Sequence, residues 1–339
     1  MTPTVAVIVT QRERFGMTEE SLESLLEHTP DAEIIYVDGN SPKRVAKYLR
    51  DQAEAGRIRL IRKERFLTPN QARNIGLAAA EAEYVAFVDN DVVYTEGWLD
   101  KLVACAEETG ADVVAPLTCQ GLPAHSEIHH AGGDYAPGGD MAGFFEGDPE
   151  LGRKFEEVMH GHAEPLAVWQ DRLKRQETGM CEFHCALARR KLFDRIGPLD
   201  EKLYSTKEHI DFSMSVKSTG GSVWFEPSSV VTYVFPCRAR PISVEDWPFF
   251  SLRWSNAYGK RSLDHFISKW NLRPNESYVA SKQGIYMTRR LQGILIPMMR
   301  RVPLIGRKDA WAKKAARMMM APERLVNAAW VARQDRRPS

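Results

Sequence analysis

The feature that most constrains this chain is an uncharged run that ends in two carboxylates. Tyr84 to Val88 reads YVAFV and leads directly into Asp89, Asn90 and Asp91. Such a run is typical of a buried strand in a parallel sheet. Two carboxylates this close repel each other, and each requires water or a positive partner. The sequence therefore predicts a strand whose end holds a cation, with an ordinary Asp-Asn-Asp turn as the alternative.

The type of ligand atom indicates which cation the site would bind. Carboxylate oxygens suit hard divalent ions such as Mg2+ or Mn2+, and these ions keep positions open for phosphate oxygens. A bound divalent ion also neutralises the charge that develops on a leaving diphosphate. Asp89 and Asp91 are therefore the predicted metal ligands.

Composition narrows the class of protein. The chain has 339 residues and 43% hydrophobic content, enough for one large domain with an appendage or for two domains. Its net charge of +1 excludes a globally basic nucleic-acid binder. The cysteines are five and widely spaced, which favours free thiols in a reducing compartment. The sequence has no recognisable leader and no apolar run long enough to span a bilayer, so we expect a cytoplasmic protein.

Strand and helix patterns alternate about every 25 to 30 residues through the first part of the chain, which is the rhythm of parallel βαβ units. The predicted strands cover residues 4–10, 34–37, 57–61, 84–88 and 112–115. Ligands of such sheets bind outside the carboxyl ends of the strands. Thr10, Asp38 and Asp89 all stand at such ends, so we expect one ligand to contact all three.

The pattern becomes irregular at residues 117–178, where five histidines occur, and an insertion of this length is typical of a functional segment. These histidines lack the spacing of a zinc site, which favours surface or acceptor-facing roles. Regular structure then resumes. We expect strands at 181–188, 223–225 and 230–235, and a helix from Glu208 to Ser218.

Five motifs occur in a fixed order, and they read VAVIVT, IIYVDGNS, ARNIGLAAAEAEYVAFVDNDV, IGPLDEKL and KEHIDFSMSVKSTGG. Over residues 4 to 236 this series resembles family 2 glycosyltransferases of the GT-A fold. The resemblance implies an α/β, Rossmann-like domain with a mostly parallel central sheet and flanking helices. It also implies inverting transfer of a sugar from a nucleotide-sugar, usually a UDP-sugar, with Mn2+ or Mg2+ as cofactor.

The resemblance assigns the predicted site residues. Donor-binding residues are Thr10, Arg12, Asp38, Arg73, Asp89, Asn90 and Asp91. On the family's pattern Thr10 and Asp38 contact the uridine, Arg73 packs at the uracil, Asp89 reaches the ribose and Asp91 holds the metal. From the residues alone, the less favoured alternatives are that Asp38 forms a turn before Pro42 and that Arg73 lies on a helix surface.

The late motif departs from the family pattern. Relatives read Glu-Asp or Asp-Asp where this chain reads Glu208-His209, followed by Asp211. The catalytic base therefore stays open among Glu208, His209 and Asp211, with Glu208 favoured. These residues could instead cap a helix N-terminus. Glu182 and His184 fall on the acceptor side.

A second departure concerns the metal. Many relatives place a histidine near residues 231–233 that can complete the metal site, and this sequence has none there. We therefore expect the cation to rest on Asp91, the diphosphate and water, with help from His184 or His209.

The predicted organisation has three parts. Residues 1–236 form the catalytic domain, with a nucleotide-sugar half at 1–116 and an acceptor half at 117–236. An aromatic-rich helical extension covers 237–281, and a basic amphipathic tail covers 282–339. The tail carries fourteen Lys and Arg against three Asp and Glu. This pattern suits either an anionic membrane surface or a helical pair packed on the domain with a solvated face.

The expected partners are a nucleotide-sugar donor and a glycan, lipid-linked or small-molecule acceptor, in cell-envelope, polysaccharide or glycoconjugate synthesis, and peripheral contact with the inner face of the cell membrane. No nucleic acid is expected, since the tail lacks a base-stacking platform. One competing interpretation is a sugar-1-phosphate nucleotidyltransferase, although residues 10–16 offer a single glycine for a phosphate loop. The other is a catalytically inactive, membrane-associated module that senses nucleotide-sugars.

Overall fold

A sheet of ten strands forms the centre of the computed structural model, which describes residues 4–141, 143–146, 151–235, 241–273 and 276–336. Four of the five cysteines are buried free thiols, and Cys237 lies outside the described residues. The first half of the chain consists of β1 (Val5–Thr10), α1 (Thr18–Glu27), β2 (Glu33–Gly39), α2 (Lys43–Glu54), β3 (Arg59–Lys63), α3 (Pro69–Ala79), β4 (Tyr84–Asp89), β5 (Val92–Tyr94) and α4 (Trp98–Thr109).

The middle of the chain adds short strands and helices. They are β6 (Val113–Gln120), β7 (Glu127–His130), β8 (Gly133–Asp134), β9 (Arg153–Lys154), β10 (Val158–Met159), α5 (Leu166–Trp169), β11 (Gln176–Glu177), β12 (Cys185–Arg189), α6 (Phe193–Ile196), α7 (Glu208–Ser218) and β13 (Val223–Tyr233). The C-terminal part contains α8 (Trp247–Arg253), α9 (Asn256–Trp270), β14 (Leu272–Arg273), α10 (Glu276–Arg290), a π-helical turn (Leu291–Leu295), α11 (Ile296–Arg300), α12 (Asp309–Met318) and α13 (Met320–Asp335).

The strand order in the sheet is β11-β13-β6-β12-β4-β1-β2-β3, with β5 on β13 and β7 on β6. Strands β4, β1, β2 and β3 run parallel, as the alternating pattern predicts. Strand β12 enters antiparallel between β4 and β6, while β13 runs parallel to β6. The start of β12 and the end of β13 therefore lie at the same edge as the carboxyl ends of the parallel strands.

Both faces of the sheet are buried, which explains why the strands read as continuous apolar runs. Along β1, Val7 and Val9 belong to one core, and Ala6 and Ile8 belong to the core on the other face. Helix α3 packs very closely here, since a Cβ at Gly76 would lie 2.3 Å from Ile8 Cγ2. Glycine thus permits the approach that brings the N-terminal turn of α3 to the end of β4.

Two predicted elements differ in the structure. The segment predicted as a strand over 181–188 is strand only from Cys185, because the preceding residues turn at the edge of the sheet. The two strands predicted at 223–225 and 230–235 are one strand, β13, with a register shift between Glu226 and Val230. The polar EPSS sequence at that bulge accounts for the predicted break. The irregular segment at 117–178 also begins with the end of β6 and contains β7.

The aromatic stretch after residue 246 packs against the body of the protein. Phe249 lies in the core beside Phe15 at a ring-centroid distance of 5.0 Å, and Trp254 donates from Nε1 to Glu13 Oε2 over 2.8 Å. Further along, Arg290 is buried and pairs with Glu323. The C-terminal helices are therefore part of the folded body through α13. Among the described helices, none has both the length and the apolar character needed to cross a bilayer.

Candidate active site

The parallel strands bring the predicted residues together. Thr10 is the register partner of both Val37 and Asp89, so the last residue of β1 lies between the ends of β2 and β4. Asp38 follows Val37 directly. The backbone of Asn90 donates to the carbonyl of Thr10 over 2.9 Å, which fixes the turn after β4. Thr10, Asp38 and Asp89 therefore border one region, as expected.

Asp89 is a buried carboxylate that lies beside two guanidinium groups. Arg73 Nη2 donates to Oδ1 over 3.1 Å, and Arg12 Nε lies 3.5 Å from Oδ2. The pKa values of the two guanidinium groups are shifted in opposite directions. The pKa of Arg73 is lowered by burial, whereas that of Arg12 is raised, because Tyr233, Glu13, Asp91 and Asp89 together outweigh the cost of burying it.

Asp91, unlike Asp89, forms no side-chain hydrogen bond with a described residue. Its side chain is fully buried, and neither carboxylate oxygen has a hydrogen-bond partner among the described residues. Burial raises the pKa of Asp91 to about 8, with repulsion from Asp89 and Glu13 adding to the effect of burial and Arg12 opposing it. An unpartnered buried carboxylate is costly unless something positive joins it.

Asn90, Thr10 and Asp38, which are also predicted donor-binding residues, lie in the same region. Asn90 is held by its neighbours, since its Nδ2 donates to the Arg14 carbonyl over 2.8 Å and its Oδ1 accepts from the Arg12 amide. Among the described residues, the buried Thr10 hydroxyl has no hydrogen-bond partner. Asp38 accepts from Gln11, from the amide and hydroxyl of Ser41, and from Arg62. These four donors fill the roughly four acceptor positions of a carboxylate, so a ligand role for Asp38 requires that one of them be displaced.

His184 reaches the same place from β12. Because β12 runs antiparallel to β4, the residue before its start lies at the end of β4, where the His184 carbonyl accepts from the Asp89 amide over 3.2 Å. Its Nδ1 is 3.3 Å from Asp89 Oδ2, and neither ring nitrogen has a hydrogen bond within the described chain. Burial lowers the pKa of His184 well below the usual range, so the ring is neutral.

These side chains fit a divalent cation. One ligand atom each from Asp89, Asp91 and His184 lies within 4.8 Å of the others. The two orphaned oxygens of Asp91 and the unbonded nitrogens of His184 are the groups that a cation would satisfy. His129, Glu182 and His184 form a second group within the same distance. The Asp-rich group better matches a hard cation that must also bind phosphate.

The three candidate bases have different surroundings. Glu208 is buried, and Arg253 Nη2 donates to its Oε1 over 2.8 Å, while its Oε2 has no hydrogen-bond partner in the part of the chain that the structure describes. Burial alone would raise its pKa, but Arg253, Arg73 and His209 lower it, so Glu208 is ionised at neutral pH. Arg253 was not found by sequence reasoning, since nothing in the aromatic stretch distinguishes it from a packing residue.

His209 and Asp211 are engaged elsewhere. His209 Nε2 lies 3.3 Å from Glu182 Oε1, and Glu182 in turn has a carboxylate oxygen within 4.8 Å of a ring nitrogen of His184. Asp211 faces away along α7, where Lys269 Nζ donates to Oδ2 over 2.9 Å and Trp270 Nε1 donates to Oδ1 over 2.7 Å. Asp211 therefore ties α7 to α9.

Comparison with known proteins supplies the family. The model of Glycosyl transferase family 2 matches residues 5–197. An uncharacterised protein y4gI of Sinorhizobium fredii is 27% identical over 283 residues, which is 79% of this chain and 28% of that protein. An uncharacterised glycosyltransferase EpsJ of Bacillus subtilis is 34% identical over 116 residues, 34% of this chain and 33% of that protein.

A mouse relative and a solved structure extend the likeness. Polypeptide N-acetylgalactosaminyltransferase 12 of Mus musculus is 27% identical over 248 residues, 70% of this chain and 40% of that protein. The chain thus spans 28% to 40% of the length of these three relatives. A crystal structure of GalNAc-T7 with UDP, GalNAc and Mn2+ aligns with a TM-score of 0.51 and 18% identity, over 90% of this chain and 58% of that chain. This structural likeness confirms the GT-A fold.

The different surroundings of the two aspartates predict opposite effects on stability. In metal-free protein, we expect Asp91→Asn to raise the free energy of unfolding by roughly 1 to 4 kcal/mol, since each pKa unit corresponds to about 1.4 kcal/mol. Asp89→Asn should lower it by about 3 to 5 kcal/mol, because Arg73 loses its buried partner. Urea unfolding in the presence of a chelator measures both variants. Destabilisation by Asp91→Asn would contradict this account.

Proposed function

Because the chain belongs to glycosyl transferase family 2, we propose that it transfers a sugar from a nucleoside-diphosphate donor, a UDP-sugar, to an acceptor hydroxyl with inversion. The single observation that carries this proposal is the pair of orphaned, buried Asp91 oxygens beside Asp89 and His184. The GalNAc-T7 structure holds UDP and Mn2+ on the same fold, which supports the choice of donor and cation. We assign the biological setting to envelope, polysaccharide or glycoconjugate synthesis.

The donor lies across the ends of β1, β2 and β4 in this proposal. The Thr10 hydroxyl, which has no hydrogen-bond partner among the described residues, and the Asp38 carboxylate bind the uridine, and Arg73 packs at the uracil. The uridine replaces one of the four donors that Asp38 now accepts from. Asp89, oriented by Arg73 and Arg12, reaches the ribose. Asn90 shapes the turn, and Asp91 with Asp89 holds the cation. When bound, that cation supplies positive charge to the diphosphate.

Glu208 is the acceptor base in this proposal. Its Oε1 is held by Arg253, which leaves Oε2 available to accept the proton of the acceptor hydroxyl. Glu182, His209 and His184 border the acceptor side. Asp211 supports the helix through Lys269 and Trp270 rather than contacting the acceptor.

The main test is donor turnover. We expect the protein to release a nucleoside diphosphate from one member of a panel of UDP- and GDP-sugars in the presence of Mn2+, measured by mass spectrometry. Chelation should abolish release, and Asp91→Ala should lower it about a hundredfold or more, the scale of losing one stabiliser of developing charge. A protein that binds UDP but releases none from any sugar would be the inactive sensor. One that forms a nucleotide-sugar and pyrophosphate from UTP and a sugar phosphate would be a nucleotidyltransferase.

The base assignment has its own test. We expect Glu208→Gln to reduce transfer by about 10² to 10⁴-fold, the usual contribution of a general base, while UDP binding is retained. Glu96→Gln, which changes an exposed carboxylate, is the matched control. A larger loss in His209→Gln or Asp211→Asn than in Glu208→Gln, measured on folded protein, would contradict the assignment.

The tail presents a further surface, for which we propose an anionic lipid bilayer as the partner. Five large apolar residues of the tail are exposed on α12, on α13 or between the two helices. These are Trp311 (53% exposed), Met318 (73%), Met319 (40%), Leu325 (75%) and Val326 (70%). Lys308, Lys314 and Arg317 are exposed on the same helix or just before it, so apolar and basic groups occur together.

Vesicle flotation tests the tail surface. We expect binding to vesicles that contain phosphatidylglycerol, weak binding to pure phosphatidylcholine, and release by high salt. Lys314→Glu/Arg317→Glu should abolish binding, whereas Lys43→Glu/Arg50→Glu on α2, with the same charge change at exposed positions, should retain it. Equal binding by the two double variants, dimerisation through this face, or no flotation of the wild type would each overturn the proposal.

A further inference from the structure

The cation site raises the question of which residue supplies a third protein ligand. Tyr233, at the end of β13, lies beside this region, because it pairs with Val92 and the following amide donates to the Asp91 carbonyl. Its hydroxyl donates to Glu13 Oε1 over 2.7 Å, and the other oxygen of Glu13 accepts from Trp254. The Tyr233 hydroxyl is therefore held in a buried hydrogen bond with Glu13 and not with Asp89 or Asp91.

The Tyr233 ring has a different use. It stacks on the imidazole of His184 at a centroid distance of 4.2 Å and an interplanar angle of 23°. The edge of His129 closes another side of the same imidazole at 4.8 Å. Together with the backbone hydrogen bond from Asp89, these contacts fix the plane and position of the His184 ring.

The buried His184 ring forms no hydrogen bond among the described residues that would offset the cost of its burial. The residue is 1% exposed, and neither nitrogen has a hydrogen-bond partner among the described residues. An imidazole buried with both nitrogens unsatisfied is costly, so a rigidly held one indicates a ligand that is to be bound. Asp89, Asp91 and Glu182 each have a carboxylate oxygen within 4.8 Å of a His184 ring nitrogen.

The alternative group of His129, Glu182 and His184 is less available. His129 Nδ1 is 2.9 Å from Gln120 Oε1, and Glu182 lies 3.3 Å from His209. Two of its three members are therefore already engaged, whereas Asp91 is not. The Asp89–Asp91 group is therefore the more available set of ligands to combine with His184.

We propose that His184 is the third protein ligand of the divalent cation, with Tyr233 as a positioning residue that holds the imidazole by stacking. This inference rests on the proposed function for the presence of the cation. It extends that function by assigning a mixed oxygen and nitrogen ligand set. An imidazole ligand favours transition metals over Mg2+, so the site should bind Mn2+ more tightly than Mg2+.

Mn2+ binding to the full chain, followed by electron paramagnetic resonance, tests the assignment without requiring turnover. We expect ¹⁴N modulation from a coordinated imidazole in the wild type, its loss in His184→Gln, and a weakening of Mn2+ affinity by about tenfold or more. The preference for Mn2+ over Mg2+ should shrink in the same variant. His130→Gln is the matched control, since His130 is as deeply buried as His184 but lies outside the Asp89–Asp91 group.

Two further variants separate the roles. Tyr233→Phe keeps the ring and should retain the nitrogen signal, whereas Tyr233→Ala should weaken Mn2+ binding. Wild-type protein that binds Mn2+ without nitrogen modulation overturns the proposal even if His184→Gln fails to fold. Loss of the signal in His129→Gln, but not in His184→Gln, also overturns it. If Mn2+ binds through His184 while no sugar donor is turned over, this inference stands and the proposed transfer reaction fails.

Discussion

The buried carboxylate of Asp91 is the constraint on which the rest of the site depends. It follows an apolar strand, is fully enclosed, and has no hydrogen-bond partner in the described chain. Asp89, two residues earlier, is stabilised by Arg73 and Arg12. The two carboxylates at this strand end therefore have different surroundings, because Asp89 is paired with two guanidinium groups and the Asp91 carboxylate has no hydrogen-bond partner in the described chain. In the proposed function, Asp91 is the one that binds a positive ligand. This division follows from which strands and helices surround each side chain.

The surrounding elements come from distant parts of the chain. Strands β1, β2 and β4 bring Thr10, Asp38 and Asp89 together, and the antiparallel β12 adds His184. The C-terminal helices then close the site, since Arg253 bonds both Glu208 and the Arg12 carbonyl. Arg253 lies beyond the residues that the family model matches. The site is therefore shared between the GT-A sheet and a C-terminal extension that packs as part of the same body.

The placement of the predicted donor-binding residues at one edge of the sheet could be predicted because local rules determine it. The βα alternation fixes which residues stand at strand ends, and parallel pairing then brings Thr10 and Asp89 side by side. The acceptor side was less predictable. The partners of Glu208 and Asp211 lie in α8 and α9, at sequence separations of 45 and 58 residues, and no local pattern encodes such pairings.

The two errors in the predicted secondary structure have physical causes. The EPSS bulge in β13 carries the polar residues of a loop but continues the strand. Residues 181–184 alternate apolar and polar side chains, as a strand does, although they turn at the sheet edge. That turn is what presents His184 to Asp89. The family pattern draws attention to the missing histidine near 231–233, but only the three-dimensional arrangement brings Tyr233 and His184 into contact.

Calorimetric titration of the protein with UDP, in Mn2+ and in a chelator, tests the central claim most directly. If the enclosed carboxylates are tolerated because a cation arrives with a nucleotide's phosphates, UDP should bind tightly with Mn2+ and at least about tenfold more weakly without it. Equal UDP affinity in both conditions, or no binding in either, would contradict the account.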